Sequence, residues 1–140
     1  MAVKLPSDAH SFSHHARYLK VRERTSYAFA VVSAAACLNI ARNKITEARV
    51  ALGGVAAKPW RAREAEKLLA GAAPDAESFR RAAEAALAEA KPSGDNEFKI
   101  ELARRIIVRA LAAAAAGTPE RIPALPACPL STEAGALNDA

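Results

Sequence analysis

The chain has 140 residues, a quarter of them charged, and its 20 Lys and Arg outnumber 15 Asp and Glu for a net charge of +5. That length supports one modest core, burying about two thirds of the surface the unfolded chain exposes, and suggests a single domain. The basic excess fits an ordinary soluble surface or an anionic partner such as a phosphate group, an acidic protein face or nucleic acid, and leaves both open.

Cys37 lies in an apolar run and Cys128 in a Pro-rich tail, with no CxxC pair and no histidine spacing that assembles four zinc ligands. Two such thiols fit a reducing, cytoplasmic setting. Lys4, Asp8, His10 and the basic run from Arg17 interrupt any secretory signal. Ala28 to Leu38 is apolar but far short of the roughly twenty residues a membrane-spanning helix needs.

In chain order, Val3-Lys4-Leu5-Pro6 reads as the end of an extended segment, because a residue before proline is pushed out of the helical region. Ser7 to His15 reads as a loop. Tyr18 to Arg22 alternates Leu19 and Val21 with Tyr18, Lys20 and Arg22, as a strand with one buried side does. Tyr27 to Ile40 is ambiguous: its alanines favour a helix, and Tyr27, Val31, Ala34, Ala35 and Leu38 share a helical face. The next segment, Lys44 to Gly54, alternates Ala48, Val50 and Leu52 with Glu47, Arg49 and Ala51, and Ala41-Arg42-Asn43-Lys44 has the length and the Asn of a hairpin turn. A strand needs a partner, so Tyr27 to Ile40 is assigned as its neighbour, against propensity.

Pro59 and Gly71 bracket a first helix over Trp60 to Ala70, burying Ala65, Leu68 and Leu69. Asp75 caps a second helix, with Phe79, Ala82, Ala83, Ala86, Leu87 and Ala90 on its apolar face and Pro92 as its stop. Asp95 or Asn96 caps a third, whose stripe is Phe98, Leu102, Ile106, Ala110 and Ala114, with Arg104, Arg105 and Arg109 outward and Gly117 at the end. From Thr118 the prolines and the absence of an apolar period indicate a disordered tail. The expected fold is α+β: a small antiparallel sheet of about three strands covered on one face by three helices.

No catalytic site emerges. His10, His14 and His15 crowd one loop with no Gly-framed nucleophile and no third metal ligand, so no metal is assigned. Gly53-Gly54 lacks both GxGxxG and GxxxxGK[ST] and reads better as a turn than as a phosphate cradle. Lys20, Arg22 and Arg24 beside Tyr18 and Tyr27 could serve a flavin, through cations that stabilise its reduced anion and rings that cover it; alone they read as a solvated strand face. Trp60, beside Lys58 and Arg61, reads as a staple between a helix N-terminus and the sheet, or as a protein anchor.

Four segments taken together are more specific: Tyr18-Leu19-Lys20-Val21-Arg22-Glu23-Arg24, Ala48-Arg49-Val50-Ala51-Leu52-Gly53-Gly54-Val55, Lys58-Pro59-Trp60-Arg61, and Asn96-Glu97-Phe98-Lys99-Ile100-Glu101-Leu102-Ala103-Arg104-Arg105. In this order they resemble the C-terminal domain of the FAD-binding subunit of molybdenum hydroxylases of the xanthine dehydrogenase, aldehyde oxidoreductase and carbon monoxide dehydrogenase type. The resemblance covers roughly residues 1 to 116. It implies residues 1–16 as the end of a preceding domain or a linker, 17–117 as the flavoprotein C-terminal domain, and 118–140 as tail. It also implies that the Tyr27 run is a strand and that Lys20, Arg24, Ser26 and Tyr27 lie at FAD, tuning potential and access rather than breaking bonds. The implied partners are the FAD-binding domains, an iron–sulfur subunit and a molybdopterin subunit, with neither membrane nor nucleic acid. A small basic interaction module using the strand face and the Arg-rich third helix is the rival expectation; a gene remnant that folds without working is another.

Overall fold

The structure, a computed structural model, describes residues 6–24 and 27–119. A short 3-10 turn, Ala9–Phe12, leads into strand β1, Ala16–Val21; β2 spans Val32–Ala41, β3 Lys44–Gly53 and β4 Trp60–Arg61. Helices α1, Arg63–Leu69, α2, Ala76–Ala86, and α3, Phe98–Ala115, follow. The four strands form one antiparallel sheet in the order β1-β2-β3-β4. The architecture is therefore α+β with strands first and helices after.

The ambiguous alanine run is a strand from Val32 onward. Val32, Ala34, Ala36 and Leu38 alternate into the core, all completely buried, and pair with Leu52, Val50 and Ala48 of β3 on the same face. Alanine is a poor strand former, but here it keeps the sheet surface shallow, so that α3 seats closely with Ala103, Ala110 and Ala114 turned inward. The hairpin turn is as expected: Arg42 and Asn43 take φ of +51° and +58°, the pair of left-handed residues that a two-residue type I′ turn needs.

The helical half differs from the expectation in five places. Helix α2 stops at Ala86, short of Pro92, which leaves Ala90 exposed beyond the helix rather than on its apolar face. Trp60 and Arg61 form a fourth strand, pairing with Leu52 and Ala51, and the helix starts only at Arg63. The reason is local pairing: Ala62 N–H donates to Val50 O at 2.9 Å, and Arg61 is held by the Glu66 carboxylate, so the chain after Pro59 completes the sheet before it coils. Leu68 stays exposed while Ala65 and Leu69 are buried. Neither Asp95 nor Asn96 caps α3; its N-cap is Glu97, and Asn96 Oδ1 accepts from Ser93 N–H to close the preceding turn. Phe98, expected in the buried stripe, is exposed, and Ile107 and Leu111 take the deep positions.

Asp75 does cap α2, accepting from Ser78 N–H at 2.8 Å, which holds its carboxyl below the usual aspartate range. Helices α1 and α3 lie on the sheet, and α2 packs chiefly against those two. Loop anchoring is specific. Gly71, with φ of +85° just past α1, donates to Ile45 O at 2.7 Å, and Ile45 N–H donates to Ala72 O, tying the helical layer to the hairpin. Expectations for Met1 to Leu5 and for the tail beyond Pro119 lie outside the described residues.

Candidate functional site: the open sheet face and the loop between the first two strands

The helices leave one face of the sheet bare. Strand alternation and register put Tyr18, Ala35 and Ala51 in one row across it, and Lys20, Ser33 and Gly53 in the next. Tyr18 and Lys20 are exposed. The rest of this surface is shallow because its side chains are small. At one end the 3-10 turn folds over it, with Phe12 buried and the Arg49 guanidinium 4.7 Å above its ring. Asp8 pairs with the same guanidinium. Cys37, opposite Arg49 in the ladder, is half-buried, and desolvation pushes its thiol up while Arg49 opposes the shift.

At the other end lies the loop between β1 and β2. Its base is closed by Val31 N–H donating to Val21 O at 2.9 Å. Its tip presents Tyr27 and Phe29, 97% and 100% exposed. Tyr27 has φ of +47°, a left-handed conformation rare for an aromatic residue, and Arg24 Nη2 donates to its carbonyl at 2.6 Å. Gly54 buttresses the loop from below: its φ is +75°, and a Cβ there would stand 2.8 Å from Val31 O. Close approach of backbone to backbone is why glycine sits here, in agreement with the turn reading.

Of the four residues implied at a cofactor, Arg24 and Tyr27 share this loop and are joined through the Tyr27 carbonyl, while Lys20 stands on the adjoining sheet face. Ser26 lies outside the described residues. Phe29 was not singled out from sequence, where it is one aromatic in an alanine run; its only signal is that no apolar partner is offered to it. Of the three histidines, His15 places Nδ1 3.0 Å from Ala114 O, and the His14 backbone carbonyl accepts from Thr118 N–H. Among the described residues no three His, Cys, Asp or Glu side chains cluster as metal ligands, and no helix is long and apolar enough to cross a membrane.

Of the cations expected to form a basic surface, Arg104 and Arg105 are paired, whereas Lys20, Arg22, Arg24 and Arg109 have no carboxylate within 4 Å among the described residues. Arg104 and Arg105 both pair with Glu101, whose carboxyl is held low chiefly by the Arg105 hydrogen bond; Arg61 pairs with Glu66 and Arg80 with Glu77.

A four-stranded antiparallel sheet backed by three helices is the architecture of a known flavoprotein module. Residues 17–114 match the CO dehydrogenase flavoprotein C-terminal domain, and the chain belongs to that family. It is 42% identical over 99 residues to the aldehyde oxidoreductase FAD-binding subunit PaoB of Escherichia coli (strain K12), which covers 71% of this chain and 28% of PaoB. Quinoline 2-oxidoreductase from Pseudomonas putida 86 superposes with a TM-score of 0.69 at 29% identity, over 74% of this chain and 38% of that one. Carbon monoxide dehydrogenase from Hydrogenophaga pseudoflava gives 0.68 at 31%, over 74% and 37%. The chain thus spans well under half the length of these relatives.

Proposed function

We propose that this chain serves as the C-terminal, flavin-facing portion of the FAD-binding subunit of a molybdenum hydroxylase of the aldehyde oxidoreductase or xanthine dehydrogenase type. The observation that carries the reading is the loop holding Tyr27 and Phe29 fully exposed next to Lys20, in a domain 42% identical to part of an FAD-binding subunit. Two bare rings on a pinned loop are costly in water unless something covers them.

The residues present fit one part of FAD. The small side chains of Ala35 and Ala51 keep the row beside Tyr18 shallow, and Lys20 offers a cation without a carboxylate within 4 Å among the described residues. No glycine-rich segment for the pyrophosphate occurs, so that grip belongs to domains outside this chain. FAD, when bound, supplies the electron-transfer chemistry. Lys20 and Arg24 then supply positive charge that favours a reduced, anionic ring, and Tyr27 and Phe29 exclude water from it. The chain itself breaks no bonds. Its partners in this reading are the FAD-binding domains, an iron–sulfur subunit and a molybdopterin subunit in the cytoplasm, with residues 17–117 as the docking domain.

Titration of the chain with FAD and with riboflavin, read by flavin fluorescence, tests the reading. Ring contact alone predicts weak, saturable binding of similar strength for both, lost in Lys20→Ala and in Tyr27→Ala. Absence of saturation at millimolar flavin overturns it.

A further inference from the structure

On the opposite side of the sheet, a half-open cleft of about 280 Å³ lies between β3–β4 and the facing ends of α2 and α3. It is near the lower end of the range for small-molecule sites, roughly 300 to 1,000 Å³. Its walls are Leu52, Trp60, Leu87, Ile100 and Ala103, and its mouth carries Lys91, Lys99 and Glu89. Trp60 belongs to the fourth strand and pairs with Leu52, so its indole is set on the helical side of the sheet rather than stapling a helix start.

The charges at the mouth are unbalanced. Neither Lys91 nor Lys99 has a carboxylate within 4 Å among the described residues. Lys99 Nζ donates to a neutral acceptor, Gly54 O, at 2.7 Å. It also sits in the first turn of α3, where a cation opposes the helix dipole. An apolar cleft with an ammonium at its rim, satisfied only by a backbone carbonyl, is matched to a ligand that is apolar at one end and anionic at the other.

We propose that this cleft binds a small amphipathic carboxylate, its aryl or alkyl body against Trp60 and Leu87 and its carboxylate on Lys99. The site is separate from the flavin-facing loop, so its test stands or falls independently of the function proposed above.

Trp60 is the only tryptophan of the chain, so its emission reports the cleft directly. 4-Phenylbutyrate titrated into the 140-residue chain is expected to shift that emission saturably in the submillimolar range and to raise the thermal midpoint. The corresponding uncharged alcohol, 4-phenylbutan-1-ol, should bind about five-fold more weakly, the worth of one half-exposed charge contact. Lys99→Met should make acid and alcohol equal without lowering the thermal midpoint, and Ala90→Phe, at an exposed lining position, should block both. No saturable response, equal binding of acid and alcohol by the parent chain, or an unchanged preference in Lys99→Met would each overturn the proposal.

Discussion

Ser33 and Gly53 stand opposite each other in the β2–β3 ladder, and a Cβ at position 53 would come 2.5 Å from Ser33 Oγ. Ser33 is 5% exposed, so its hydroxyl has little room to turn away. Gly53→Ala should therefore cost about 1–3 kcal/mol, the usual range for overpacking. In Ser33→Ala the clash disappears, because the Ser33 Cβ is an ordinary 3.9 Å away. The double variant should then recover the loss, and even gain from replacing glycine within a strand. Urea unfolding of the two single variants and the double variant measures the coupling; additive effects would show that the two positions do not meet.

The β2–β3 turn carries two residues in left-handed conformation, and neither is glycine. For Arg42 this costs roughly 1 kcal/mol. Replacing Arg42-Asn43 by Asn-Gly keeps the type I′ geometry and removes most of the strain. The variant should be more stable by about 0.5–1 kcal/mol, read as a higher thermal midpoint with unchanged circular dichroism.

Acid should act first on the helix caps and surface pairs. The folded-state carboxyl of Asp75 is held below its ordinary value by the Ser78 N–H, so its contribution is present above the ordinary aspartate pKa of about 3.9 and is lost as pH falls through the lower folded value. Asp75→Asn keeps a capping oxygen. It should match the parent near neutrality and show a shallower fall in stability below about pH 4. Glu101, held low mainly by Arg105, adds a second component that Glu101→Gln removes. Thermal midpoints measured across this range check both; parallel profiles for parent and variants would refute the assignment.

Much of the architecture was legible in the residues, for reasons that differ by element. β3 announces itself through strict alternation of Ala48, Val50 and Leu52, and α2 through Asp75 and a sustained apolar stripe. β2 was legible only through its neighbour, since alanine propensity points the other way and tertiary pairing overrides it. β4 was not legible: two residues carry no period, and Pro59 imitates a helix start. On the candidate site, cations near aromatics were visible at Lys20, Arg24 and Tyr27, but Phe29 was not, because bareness is a property of the fold. The cleft around Trp60 was equally hidden, since its walls come from separate parts of the chain.

Thr118 Oγ1 accepts from Ala16 N–H at 2.8 Å and lies 3.2 Å from Ala16 O, while Thr118 N–H donates to His14 O. The way into the sheet and the way out of the last helix are thus stitched side by side. Entry and exit that lie together are the geometry by which a domain is joined to neighbouring polypeptide at one spot of its surface, without spanning its core.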